Sequence, residues 1–380
     1  MTLIGIDGNE ANVSNRVGSN LYAFELLKQL EKSQPKAGRP LDGEIKFVVY
    51  LKDPPLPDMP KQSSNWQYRV VGPKRLWTKV ALPFDLYTHH PRPDVFFSPG
   101  HYSPLLVPMP LVVSVMDLGF LRFPEQFKKK DLYTLKKWTR GSVSRADHVL
   151  AISEFTRSDI IKTYQISTRK VTATPLGGGK RKSLLAKGKS RGVFDKYGIK
   201  GKYILFLGTL KPSKNIAGLV RAFKIFNKKL KKNLKLVIAG KKGWLYEDIY
   251  LQVRQEKMAS QIIFTDFVAE EDKPALLSGA EVFILPSFWE GFGLPALEAM
   301  TYGVPVVAAR VASLPEVVGR AGVLVDPDDP VDIARGISLA LREKKKRGQL
   351  SLAQAKKFSW EKCAAQTLGV LLRVTERSRK

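Results

Sequence analysis

The 380-residue chain carries 63 Lys and Arg against 35 Asp and Glu, a formal net charge of +28 at pH 7, with 44% hydrophobic residues and a single cysteine. That length suits two domains and the apolar content excludes wholesale disorder, while Cys363 alone excludes an internal disulfide or a cysteine-built zinc site and fits a reducing compartment. The basic excess clusters at Lys128–Lys130, Lys180–Lys182, Lys228–Lys232 and Lys344–Arg347; it either attracts polyanions (nucleic acid, an anionic membrane face, phosphorylated substrates) or is solvated surface.

The N-terminus opens on a strand-like run without the basic flank of a signal peptide, and no segment approaches about 18 uninterrupted apolar residues, so a cytosolic protein is expected. Strands are predicted at Leu3–Ile6, Ile45–Leu51, Trp66–Val71, Val95–Phe97, Leu111–Val115 and His148–Ile152. Helices are predicted between them at Ser19–Leu30, Leu76–Thr88, Glu125–Ser144 and Glu154–Tyr164. This alternation breaks at the glycine- and lysine-rich stretch 177–202, read as a hinge. A second series follows, with strands at Tyr203–Leu207, Leu234–Ala239, Ile262–Phe264, Val282–Leu285, Val304–Ala308 and Gly322–Val325. Its helices are predicted at Lys214–Leu230, Glu247–Ala259, Glu270–Ser278, Pro295–Tyr302 and Val331–Lys345, and a last helical region runs from about Leu350 to Ser378. The fold class is α/β: two doubly wound, Rossmann-like domains facing a central cleft, because open parallel sheets bind ligands beyond the carboxyl ends of their strands. The expected division is a first Rossmann-like domain at 1–177, a hinge at 178–202, a second Rossmann-like domain at 203–358 and a C-terminal helix at 359–380 that packs back toward the first domain.

The most informative stretch is 286–305. After the buried strand ending at Leu285 it sets Glu290, a glycine turn (Gly291-Phe292-Gly293-Leu294), a helix start at Pro295 and Glu298 within nine residues. A glycine turn feeding a helix N-terminus is an anion site. Two flanking carboxylates would repel a bare phosphate, so they suit sugar or ribose hydroxyls attached to one. The same logic, strand then glycine turn then helix, recurs at Gly208-Thr209 with Lys214 at the helix opening, where a phosphate would offset a cation facing the dipole; a solvated lysine is the plain alternative. At the N-terminus, Gly18 before the first helix would let backbone approach a diphosphate.

The segments Gly208-Thr209-Leu210 with Lys214-Asn215, Leu236–Gly240 and Glu290–Glu298 resemble those of the retaining glycosyltransferases of family 4, which have the GT-B fold. Val115–Leu118, Ser153–Thr156, Pro175–Gly177 and Phe358–Glu361 add to the resemblance, which spans essentially the whole chain. It implies a nucleotide-diphosphate-sugar donor (GDP-mannose or a UDP-sugar) bound mostly by the domain at 203–358 and a glycan or lipid-linked acceptor on the domain at 1–177. Glu290 would contact the donor sugar, Glu298 the ribose, backbone from Gly291 to Leu294 the sugar and diphosphate, and Lys214 the leaving phosphate. Gly18, Gly208, Thr209 and Asp117 would line the substrate site. No cofactor or metal is expected: a lysine and helix N-termini can stabilise the departing charge, and Asp326-Pro327-Asp328 reads as a polar turn.

Three positions depart from the family pattern. Neither Thr209 nor Ser213 is basic, Met116 precedes Asp117 where the family has histidine, and Gly177-Gly178-Gly179 lacks the usual acidic ending. His101, just past the strand Val95–Phe97, would replace that imidazole if it reaches the same site; otherwise it is an ordinary loop residue. His89, His90 and His148 read as surface or packing residues. The basic helix bearing Lys128–Lys130, Lys136 and Lys137 with Phe127, Leu132, Leu135 and Trp138 either meets an anionic membrane surface or packs its apolar stripe on the core. Two further readings compete with an enzyme: a non-catalytic nucleotide-sugar-binding relative, and a basic polyanion-binding protein. The second lacks any specific nucleic-acid module.

Overall fold

The computed structural model describes residues 1–33, 44–178, 187–230, 234–243 and 245–379. The chain forms two compact units: the first holds Met1–Leu121, Lys129–Gly177 and Trp360–Lys380, the second Arg122–Lys128 and Gly178–Ser359.

The first unit is built on a seven-stranded sheet in the order β3-β2-β1-β4-β5-β6-β7. Its strands are β1 (Thr2–Asp7), β2 (Ile45–Leu51), β3 (Trp66–Val70), β4 (Val95–Ser98), β5 (Leu111–Val115), β6 (His148–Ala151) and β7 (Val171–Ala173). All neighbours pair in parallel, with Ile4 opposite Phe47 on one side and Val95 on the other. β4, β5 and β6 are buried along their whole length, the continuous apolar run that a sheet covered on both faces requires. Strand order reverses between β1 and β4, and a crevice opens beyond their carboxyl ends. The final helix, Trp360–Ser378, belongs to this unit. Trp360 meets the Tyr22 ring at 6.4 Å, Cys363 is buried with its Sγ 3.6 Å from the Thr174 carbonyl, and Arg379 pairs with Asp94. Burial pushes the Cys363 thiol up to about 12, so it is an inert packing group.

The second unit carries a six-stranded parallel sheet in the order β10-β9-β8-β11-β12-β13. The strands are β8 (Tyr203–Leu207), β9 (Lys235–Ala239), β10 (Ile262–Asp266), β11 (Val282–Leu285), β12 (Val306–Ala309) and β13 (Val323–Val325). Phe206, Phe223, Phe226 and Phe283 fill its core. Here the reversal falls between β8 and β11, so the loops after Leu207 and Leu285 converge on one spot.

Several elements differ from expectation. Leu76–Thr88 is a π-helical turn, Trp77–Ala81, running into a helix at Leu82–Thr88, where Pro83 sits in the first turn and needs no N–H partner. The predicted helix 125–144 is interrupted: Phe127 is extended, and the helix proper is Lys129–Arg145. The region 350–378 is two helices, Lys344–Ala355 and Trp360–Ser378. β7 escaped prediction because three residues are too few to show a period. The hinge stretch holds a helix, Lys187–Lys196, while its residues 179–186, with Gly179 and Lys180–Lys182, lie outside the described residues, as do Lys231 and Lys232. Among the described residues no helix is long and apolar enough to cross a membrane.

β8 and β9 are locked together past their ends. Gly208 donates its N–H to the Ala239 carbonyl at 2.9 Å. Gly240 has φ +146°, and a β-carbon there would lie 1.9 Å from the Gly208 carbonyl oxygen. Gly240→Ala should therefore destabilise the second unit by about 3 kcal/mol or more, read as a drop in its thermal or urea midpoint.

Candidate active site

The Lys214–Glu290 pair lies where the loops after β8 and β11 meet. Beyond β11 the chain turns at Pro286–Gly293 and enters the helix Leu294–Thr301, one residue earlier than expected. Gly293 caps it in the left-handed region (φ +97°), with the Leu314 side chain 2.6 Å from where a β-carbon would project, so only glycine fits both the turn and the space. Lys214 Nζ donates to Glu290 Oε1 at 2.5 Å, and Ser287 Oγ donates to the same oxygen at 2.7 Å. Ser313 Oγ holds the Glu290 backbone carbonyl at 2.8 Å. With side chains only 14% and 10% exposed, the ion pair is shielded from water and from salt screening.

Lys214 reaches that position by a different route from the one expected. It ends a 3-10 turn, Pro212–Lys214, and the helix begins only at Ile216. The residue between, Asn215, is left-handed (φ 52°) and buried. Its Nδ2 donates to the carbonyls of Pro286 and Pro327 at 3.1 and 2.6 Å, and its Oδ1 accepts from Gly218 N at 3.2 Å. In this structure the lysine's charge is met by Glu290. Gly208 stands beside the pair: a β-carbon there would be 4.0 Å from Lys214 Cε. Thr209 is half-buried next to it, and Glu298 is half-buried in the second turn of the helix Leu294–Thr301. Phe292 is 2% exposed and meets Phe358 edge-to-face at 5.7 Å, so its ring belongs to the core.

The segment Arg122–Lys128 completes this site. Gln126 Oε1 accepts from Ser213 N at 3.0 Å, Phe123 meets the Trp289 ring at 6.4 Å, and the Arg122 guanidinium lies 5.9 Å from it. Sequence reasoning missed Gln126, Arg122 and Ser313, because residues so distant in the chain carry no local signal. Ser287, three residues before Glu290, had one. Asp326–Asp328 is a polar turn as read: Asp328 N donates to Asp326 Oδ1, and Asp329 caps the next helix.

The first unit holds a cavity of about 410 Å³ at its own reversal point, lined among others by Asp7, Glu10, Lys52, Trp77, His101 and Trp138. The size is that of a small-molecule site, and aromatic faces beside carboxylates suit a sugar's C–H face and hydroxyls. Glu10 Oε2 accepts from Ser19 Oγ and Asn20 Nδ2 at 3.1 and 2.8 Å, pinning the loop to the first helix, whose N-cap is the exposed, left-handed Gly18. Burial lowers the His101 pKa, opposed by Asp117, so the imidazole is neutral at pH 7, and its buried Nδ1 has no partner among the described residues. Asp117 Oδ1 accepts from Gly119 N at 2.7 Å. Met116 is buried, its carbonyl 3.4 Å from Thr156 Oγ1. Thus Lys214, Glu290, Gly208, Thr209, Gly291–Leu294 and Glu298 belong to one unit, and Gly18, His101 and Asp117 to the other.

Comparison with known proteins finds matches to both units. Residues 18–177 match the model described as Glycosyltransferase Family 4, and residues 193–357 the model described as Glycosyl transferases group 1. The O-antigen chain mannosyltransferase B of Escherichia coli is 34% identical over 352 residues, 91% of this chain and 88% of that protein. The serotype-specific mannosyltransferase WbdA of Escherichia coli is 31% identical over 243 residues, 62% of this chain and 30% of that protein. Among solved structures, sucrose-phosphate synthase from Thermosynechococcus elongatus has a TM-score of 0.73 at 18% identity over 100% of both chains. HepE from Anabaena, solved with UDP-glucose, has a TM-score of 0.70 at 17% identity over 98% of this chain and 100% of that one. These two likenesses concern the fold.

Asn215→Ala should cost roughly 3–4 kcal/mol in urea denaturation, since it strands two carbonyls and puts alanine at positive φ; Asn215→Gly should recover about 1 kcal/mol of that. Asp7 gives a pH test. Burial raises its carboxyl from 3.8 to about 6, so its charged form costs stability above pH 6, and the cost fades as pH falls toward 4. Asp7→Asn should be the more stable protein at pH 7.5, by roughly 2–3 kcal/mol, and the gap in melting temperature should close near pH 4.

Proposed function

Since the chain belongs to the family 4 glycosyltransferases of GT-B fold, we propose that it is a retaining mannosyltransferase. It moves mannose from GDP-mannose to a glycan or lipid-linked acceptor, without a metal ion. The observation that carries this reading is the 34% identity to O-antigen chain mannosyltransferase B across nearly the full length of both proteins. The paired glutamates and Lys214 support it.

In this reaction the bond from the sugar's anomeric carbon to the diphosphate oxygen breaks, and negative charge grows on the phosphate. The ammonium of Lys214, now held by Glu290 at 2.5 Å, turns to that phosphate, and the N-terminus of the helix Leu294–Thr301 adds its dipole. Glu290, freed of part of its ion pair, accepts hydroxyls of the donor sugar, and Ser287 fixes which carboxylate oxygen remains for them. Glu298 accepts from the ribose. The acceptor hydroxyl attacks the face the diphosphate leaves, its proton passing to the departing phosphate oxygen, so configuration is retained. The acceptor's terminal sugar occupies the cavity of the first unit, where neutral His101 accepts a hydroxyl hydrogen in place of the histidine replaced by Met116. Shielding the pair from water limits donor hydrolysis.

Thermal-shift titration with GDP, GDP-mannose, UDP and UDP-glucose, followed by turnover on mannose-terminated oligosaccharides, tests the proposal. GDP and GDP-mannose should stabilise the protein, and EDTA should leave turnover unchanged. Stabilisation by UDP compounds alone would move the donor to a UDP-sugar. Donor binding without transfer to any acceptor would make the chain a binding relative. Glu298→Ala should weaken nucleotide binding about 10–100-fold, and Lys214→Ala should lower kcat by about 10²–10³ while nucleotide binding falls less.

A further inference from the structure

Of the two readings of the basic helix, packing of its apolar stripe on the protein fits the observed burial. In Lys129–Arg145, Leu132, Leu135 and Trp138 are half-buried against the protein, and Tyr133 alone among the large apolar residues is well exposed. The segment 76–87 is different. Trp77, Ala81, Leu82 and Leu86 are buried in the first unit, yet Leu76, Val80, Phe84 and Tyr87 on the opposite side are 57%, 53%, 69% and 43% exposed. Val80, Phe84 and Tyr87, four and three residues apart, share one side of the helical segment, and Leu76 stands exposed at its N-cap. A short element apolar on both sides has a second partner.

Charge decides which partner. Asp85, the acidic residue of this segment, is held by the Arg69 guanidinium through two bonds of 2.7 and 2.6 Å. Around the stripe stand exposed Lys74 (ion-paired with Asp53), Arg75 and Lys79, and Lys79 Nζ lies 4.6 Å over the Trp138 ring. That contact joins the stripe to the helix bearing exposed Lys129, Lys130, Lys136 and Lys137. A second copy, itself at +28, would be repelled. An acidic surface with an apolar interior meets both requirements, and that is an anionic bilayer.

We propose that the exposed face of residues 76–87, with the lysines beside it, docks the protein on an anionic lipid bilayer. Leu76 and Lys79 also line the first unit's cavity, so docking sets that cavity beside the headgroups. This part rests on the reading of the acceptor as a lipid-linked glycan. The enzyme then scans acceptors in two dimensions while its donor arrives from water.

Co-sedimentation with vesicles of phosphatidylglycerol and phosphatidylcholine in equal parts, against phosphatidylcholine alone, tests the proposal. The wild type should sediment with the first and not the second. The double variant V80A/F84A should lose binding about tenfold or more, since both truncated side chains forfeit apolar burial in the bilayer. K136E/K137E should lose the salt-sensitive part. V80A/F84A should keep the wild-type melting temperature, its nucleotide-induced shift and turnover on a soluble oligosaccharide. A failed donor reading would remove the last two readouts and leave vesicle binding intact. Equal sedimentation of V80A/F84A and wild type, absence of wild-type binding, or a dimer in solution that V80A/F84A abolishes would each overturn the proposal.

Discussion

The buried amide of Asn215 is the point on which the second unit's site depends. One side chain spends both of its N–H donors on carbonyls from two different loops, after β11 and after β13, and its oxygen on the first turn of its own helix. A buried amide fully matched in this way admits one loop arrangement, since any shift strands polar groups out of water. Lys214 is the adjacent residue and Glu290 is four residues beyond Pro286, so fixing Asn215 fixes both members of the ion pair. The site is held by an uncharged group, which leaves the charged ones able to exchange partners with a ligand.

Such an arrangement costs stability where it serves chemistry. Lys214 and Glu290 sit together largely out of water, a pairing that an apolar pair of equal volume would match or exceed in stability. Asp7 is an acid held where its charged form is disfavoured, and His101 has a buried nitrogen without a partner among the described residues. The cores around them, with Phe47, Trp66, Phe96 and Phe97 in one unit and Phe206 and Phe283 in the other, supply the compensating burial.

Most of the fold was legible because parallel strands announce themselves. Ile45–Leu51, Leu111–Val115, Tyr203–Leu207 and Val282–Leu285 have the predicted bounds, each a short apolar run framed by turn residues. Helix ends were harder. Lys214 was read into a helix that starts at Ile216, because a left-handed asparagine between them is a tertiary choice, dictated by two carbonyls more than 70 residues away. The glycine turn at 291–293 could be read in advance, since a positive φ against Leu314 leaves a composition signature. The hold of Gln126 on Ser213 could not, nor could the solvent-facing line at 76–87, because its residues look like any core-facing helix until the other side is known to be buried.

The C-terminal helix has a consequence for how the molecule is made. Cys363 lies against Thr174, Trp360 against Tyr22, and Arg379 reaches both Asp94 and the Met1 carbonyl. In chain order, the residues of the second unit are therefore complete before the helix that covers Tyr22 is made. The domain begun first is finished last. In the interval, the apolar groove awaiting Trp360, Ala364 and Leu371 is bare, and that nascent chain is where a chaperone has something to hold.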